Sequence, residues 1–211
     1  MTAYDAVLFD MDNTLHNLYA ARFCAADALM AYKGVFPDLH FYALNRDNPD
    51  LVRRSITDFF AENHLDDVDE AVRLYQMLEL ACLREFSGMQ GVLHTLKASG
   101  VKLAVVSNAD IRSSAARLKE MNLDGFFDLV VTPETFGVKK PNPLVFQKTL
   151  EALGVTPERA VMIGDKEDRD VLPARVAGLD AVHAWFGSLD GKDEICCAEE
   201  PADILRLLKK S

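Results

Sequence analysis

Asp10 and Asp12 stand one residue apart where an apolar run, Ala6-Val7-Leu8-Phe9, stops and a polar loop, Asp10-Met11-Asp12-Asn13-Thr14, begins. The run has the length and branched composition of a buried strand, so both carboxylates are delivered at its end. Neither has a basic neighbour in sequence, and such a pair calls for a cation. The alternative is an ordinary strand-end turn, where Asp and Asn are favoured. Further segments argue against a mere turn. Lys102-Leu103-Ala104-Val105-Val106 runs into Ser107-Asn108; Ala160-Val161-Met162-Ile163 stops at Gly164-Asp165, with Asp170 following; and Lys140 precedes Pro141 at a helix start. Asp10 and Asp165 offer hard oxygen ligands suited to Mg²⁺, which keeps several waters and binds through one or two carboxylates plus a phosphate. Lys140, with the hydroxyl and backbone N–H groups near Ser107, makes the matching site for phosphoryl oxygens. Without that lysine and a metal, three or four acids around one pocket would repel one another and take up protons.

The elements that must position these residues read as α/β, a doubly wound parallel sheet. Strands are expected at 6–9, 102–106, 129–131, 160–163 and 181–185, mostly bare of charge, as in a parallel sheet covered on both faces. In such a sheet ligands gather beyond the carboxyl ends of the strands. Helices are expected at 89–99, 111–122 with Asp110 as cap, 142–153, 171–177 and 201–210. Between Leu15 and Gly100 strand signals are absent. Helical patterns cover 18–33, 51–62 and 67–86, the last with Val68, Val72, Tyr75, Leu78, Cys82 and Phe86 on one face. A plain crossover needs far fewer residues, so this stretch reads as an α-helical cap. The expected division is a core of 1–15 with 88–211 and a cap of 16–87.

The 33 acidic and 23 basic residues give a net charge of -10, which disfavours a polyanionic partner such as nucleic acid. No stretch is long and apolar enough to span a bilayer, and no signal peptide is evident. Cys24, Cys82, Cys196 and Cys197 lack metal-type spacing; the first two lie in apolar helical patterns and are expected to be buried thiols, a usage that suits a reducing cytoplasm. A monomer and a homodimer are both compatible with the sequence.

With these motifs in order, the chain resembles the haloacid dehalogenase-like hydrolase superfamily from about residue 5 to 187. DMDNT corresponds to its first motif, Ser107 to its second, Lys140 in KKPNP to its third and GDKEDRD to its fourth. The resemblance implies a phosphatase in which Asp10 is the nucleophile that forms an aspartyl-phosphate and Asp12 is the general acid and base. It also implies Ser107 and Lys140 on the transferring phosphoryl group, and Mg²⁺ held by Asp10, the Asp12 backbone carbonyl and Asp165, with Asp170 nearby. The substrate would be a small phosphorylated metabolite, enclosed by the helical cap. A phosphomutase would share these residues, and a receiver-like phosphate-responsive module is a rival of another class. Asn108 and His16 join Ser107 and Lys140 as candidate substrate contacts, His16 against a hinge or surface role. Lys139 is expected to face solvent, Asp168 to cap a helix and His94 to be structural. Specificity is expected within Phe41 to Arg54, although Arg46, Arg53 and Arg54 read better as a solvated face.

Overall fold

The computed structural model describes residues 3–35, 49–189 and 197–209, apart from the side chains of 49–51. The chain divides into two units, Met1–Asn17 with Glu85–Ser211, and Leu18–Arg84.

The first unit is built on six parallel strands: β1 Ala6–Phe9, β2 Lys102–Val106, β3 Leu129–Val131, β4 Ala160–Gly164, β5 Asp180–Ala184 and β6 Cys197–Ala198. Their order across the sheet is β3-β2-β1-β4-β5-β6. The chain works outward from β1 on one side and then on the other, so β1 lies between β2 and β4, and the switch in direction occurs at the strand that ends in Asp10. Phe9 pairs with Val105 on one side and Ile163 on the other, which brings Asp10, Ser107 and Asp165 to one edge of the sheet. All four β1 residues are buried, as a strand covered on both faces requires. Below the sheet, Leu8, Val106, Phe146, Leu150, Met162 and Val171 share one apolar core.

In the second unit, α1 Leu18–Lys33, α2 Pro49–Glu62 and α3 Val68–Ala81 pack around Leu29, Ile56, Phe59, Phe60, Val72 and Tyr75. Here one expectation fails. Cys24 and Cys82 are not thiols but a disulfide, their Cα atoms 6.2 Å apart although 58 residues separate them in sequence. Cysteine spacing could not reveal this, because the pairing depends on how α1 meets the residue that ends α3. Cys197 is a free thiol, and Cys196 lies outside the described residues. No helix among the described residues is long and apolar enough to cross a membrane.

The remaining helices of the first unit are α4 Met89–Ala98, α5 Ile111–Glu120, α6 Pro133–Phe136, α7 Leu144–Leu153, α8 Leu172–Val176 and α9 Pro201–Leu207. The helix expected to reach residue 86 stops at Ala81, where Arg84 turns back to donate to the carbonyls of Ala81 and Leu83. Glu85 and Phe86 instead join the loop after β1: Glu85 bridges to His16, and the Phe86 N–H donates to the Leu15 carbonyl at 3.0 Å.

Candidate active site

The loop after β1 is shaped by its backbone. Asn13 adopts a left-handed φ of 60°, a conformation open to Asn and Gly and costly for most other residues. Gly187, in the turn after β5, passes so close that a Cβ on it would meet the Asn13 carbonyl oxygen at 1.6 Å. The glycine is therefore required by approach rather than by its own dihedral angles. The sequence reading overlooked it, since nothing local marks a glycine that faces another loop.

Asp10, Lys140, Asp165 and Asp170 converge beyond the strand ends, all buried. The Lys140 ammonium pairs with Asp10 and lies 2.6 Å from Asp170 Oδ1. Burial alone would pull that ammonium down, but the charges of Asp10 and Asp170 outweigh it and hold Lys140 above the ordinary lysine range. Asp10 moves the other way for a carboxyl: burial pushes it up, and the Asp170 and Asp12 charges add to that against the pull of Lys140. Asp165 is pushed up further, by burial and then by Asp10 and Asp170.

Oxygens of Asp10, Asp165 and Asp170 lie within 4.8 Å of one another. Both Asp165 carboxylate oxygens are buried without a hydrogen-bond partner, and buried polar atoms are ordinarily satisfied. Three converging acids, two of their oxygens orphaned, are the donor set of a hard divalent cation, so the residues fit Mg²⁺. Among the sequence candidates for the metal, Asp170 rather than Asp168 approaches. Asp168 is exposed, and it is not the cap: Lys166 precedes a π-helical turn over Glu167–Val171, and its N–H donates to Asp170 Oδ2 at 3.1 Å. The wider turn carries Asp170 back under the sheet edge. Gly164 makes room for it, since a Cβ there would lie 2.4 Å from Asp170 Cβ. The Asp165 carbonyl accepts from His183 Nε2 at 3.0 Å, a buried support from β5 that the sequence did not advertise.

Ser107 is buried at the end of β2, its hydroxyl oxygen accepting from the Ala109 N–H at 3.1 Å. Asn108 faces the Lys140 backbone: its amide donates to the Lys140 carbonyl at 2.9 Å and accepts from the Lys140 N–H at 3.0 Å. It thereby fixes the loop that presents the lysine. Lys139 is exposed, as expected.

Asp12 points elsewhere. Arg117 Nη1, from α5, lies 2.6 Å from Asp12 Oδ1 and 2.7 Å from Oδ2, and His16 Nε2 lies 2.9 Å from Oδ1. Partial burial opposes its ionisation, but the Arg117 charge and then His16 overcome this and hold Asp12 far below the usual carboxylate range. His16 is fully buried, so the surface role weighed for it does not hold; it supports Asp12. Arg117 was missed because its partner is 105 residues away and an arginine on an amphipathic helix reads as solvated. Its one signal was position, three residues after Ser114 and one before Leu118, both of which are buried.

His94 is exposed and packs edge-on against Phe126. In the helical unit Arg53 pairs with exposed Asp69 and Arg54 with exposed Asp58, as a solvated face would. Residues 36–48, and Arg46 with them, lie outside the described residues.

Comparison with known proteins gives a consistent picture. A family model described as haloacid dehalogenase-like hydrolase matches residues 7–184. A phosphoglycolate phosphatase from Aquifex aeolicus is 31% identical over 96% of this chain and 95% of its own. A glyceraldehyde 3-phosphate phosphatase from Methanocaldococcus jannaschii is 28% identical over 97% of this chain and 98% of its own. Among solved structures, a haloacid dehalogenase-superfamily hydrolase of subfamily IA from Geobacter sulfurreducens superposes with a TM-score of 0.71 at 27% identity, covering 98% of this chain and 97% of that one.

Proposed function

This chain belongs to the haloacid dehalogenase-like hydrolase family, and we propose that it is a Mg²⁺-dependent phosphatase that hydrolyses a small phosphomonoester through an aspartyl-phosphate at Asp10. The observation that carries this reading is the opposed treatment of the two loop acids. Asp10 sits among Lys140, Asp165 and Asp170, while Asp12 is held apart by Arg117 and His16. This contrast supports a reading in which one acid receives the phosphoryl group and the other handles protons.

In the first step an Asp10 carboxylate oxygen attacks phosphorus and the ester P–O bond breaks; Asp12, which Arg117 and His16 hold ionised in the free protein, takes up a proton from solvent when the substrate binds and gives it to the departing alkoxide. In the second, Asp12 takes a proton from water as that water attacks phosphorus, which releases inorganic phosphate and restores the Asp10 carboxylate. The Ser107 hydroxyl donates to a phosphoryl oxygen, and Lys140 supplies positive charge where negative charge accumulates. Asp10, the Asp12 backbone carbonyl, Asp165 and Asp170 would hold Mg²⁺, which when bound offsets the repulsion of the acids and polarises the phosphoryl oxygens. Asn108 and His16 act as supports, of the Lys140 loop and of Asp12. The helical unit, Leu18–Arg84, serves as the cap and selects the substrate. Similarity to two phosphatases of small phosphorylated acids and aldehydes supports the substrate class.

The test is assay of the purified protein with Mg²⁺ against a panel of metabolite phosphates and a nitrophenyl phosphate, scoring free inorganic phosphate. Release from at least one member, abolished by EDTA, is expected. Relocation of phosphate on a sugar without release would indicate a mutase instead, and phosphate binding without any turnover would indicate a non-enzymatic module.

A further inference from the structure

Asp12 leaves the strand end with 29% of its side chain exposed, yet it is held from two directions. A single nitrogen of Arg117 lies 2.6 and 2.7 Å from the two carboxylate oxygens and so holds the position of the carboxylate, while the His16 contact to Oδ1 alone limits its rotation. The fully buried His16 ring meets Oδ1 from within the loop itself. Arg117 is no ordinary surface charge: 16% of its side chain is exposed, and its partner comes from another element rather than from its own helix. Nor does it neutralise the acid cluster, because the charge on Asp10 and Asp170 is met by Lys140.

We propose that Arg117 is a positioning residue for phosphoryl transfer, holding Asp12 in the orientation from which its carboxyl serves the leaving oxygen and the attacking water, with His16 as the buried second support. The inference rests on the phosphatase reading above. A group that transfers a proton must come within hydrogen-bond reach of it, and a misplacement of about 1 Å costs up to about 100-fold. Asp12 lies on a loop and has two rotatable side-chain bonds, so an unsupported carboxyl would sample orientations that miss the substrate oxygen. Arg117 acts through Asp12 and need not touch the substrate.

The test compares kcat/KM, which reports events up to departure of the leaving group, for two phosphomonoesters in saturating Mg²⁺. One is an alkyl phosphate, whose alkoxide must be protonated; the other is a nitrophenyl phosphate, whose phenolate leaves without a proton. In Arg117→Met the alkyl value is expected to fall about 100-fold and the aryl value roughly threefold at most. Arg117→Lys, which keeps the charge and one donor, is expected to recover part of the alkyl loss and carries the same comparison if the Met variant does not fold. Equal losses on both substrates would overturn the proposal, as would an alkyl value that is unchanged or raised, or a loss confined to KM. The alkyl ester is one that the metabolite panel shows to be turned over; if the wild-type protein releases phosphate from no panel member, the phosphatase reading fails, and if it hydrolyses both esters and the variants lose equally, only the role of Arg117 fails.

Discussion

The two carboxylates of the loop after β1 are neighbours in sequence and opposites in environment. On the Asp10 side the surroundings are buried and rich in acid: Asp165 and Asp170 close in, Lys140 is the counter-charge, and Asp10 is pushed up to about 6. On the Asp12 side a guanidinium and an imidazole face a partly exposed carboxylate and hold it ionised. One side is short of positive charge and invites a cation; the other already has its own. Two acids of the same type acquire opposite electrostatics because the strand end delivers them to different neighbours.

The largest expected break in this contrast is Asp10→Asn. It removes the oxygen proposed to attack phosphorus, and hydrolysis of a nitrophenyl phosphate should fall by about 10⁴-fold or more in initial-rate assays. Asp12→Asn should be gentler and selective. Hydrolysis of an alkyl phosphate should fall by about 10² to 10⁴, the usual contribution of a general acid or base, while kcat/KM on the aryl ester falls less. Lys140→Met takes the counter-charge from the Asp10 side alone. With EDTA present, denaturant unfolding should show a loss of about 3–5 kcal/mol, as for a buried pair deprived of one partner, and Mg²⁺ should restore part of it.

The mildest test is pH. Asp10 and Asp165 are raised, to about 6 and about 9, so the folded protein keeps protons that the unfolded chain releases near the ordinary carboxylate value. Their contribution to stability is complete below that value and is lost as pH rises through 6 and towards 9. Asp12 is depressed and works in reverse: its contribution is present above the ordinary carboxylate range and is lost as pH falls below it. Metal-free protein should therefore melt at progressively lower temperature as pH rises from about 5 to about 9, with the slope flattened by Mg²⁺. A melting temperature that rises across this window in EDTA would contradict the charge balance assigned to the Asp10 side.

Much of the Asp10 side was legible in the sequence, because a buried parallel strand announces itself as an uninterrupted apolar run and stops where its polar cargo begins. Ala6–Phe9 before Asp10, Lys102–Val106 before Ser107 and Ala160–Gly164 before Asp165 all follow that rule, and adjacent parallel strands place their ends side by side. The two-residue β6 was not legible, being too short to carry a pattern. What lay beyond reach depends on meetings between distant elements: Arg117 on Asp12, His183 on Asp165, Gly187 against Asn13 and Cys24 with Cys82. The choice between Asp168 and Asp170 turned on a π-helical turn, whose period differs from the helical one a sequence suggests.

The central claim is that Asp10 takes the phosphoryl group while Asp12 manages protons. Asp12→Asn with a nitrophenyl phosphate isolates it, because phosphoryl transfer to Asp10 needs no proton for that leaving group, whereas release from Asp10 needs the base. Acid quench during turnover, borohydride reduction and peptide mass mapping should find residue 10 converted to homoserine. An unmodified Asp10 under continued turnover, or a phosphoryl group on Ser107, would contradict the account.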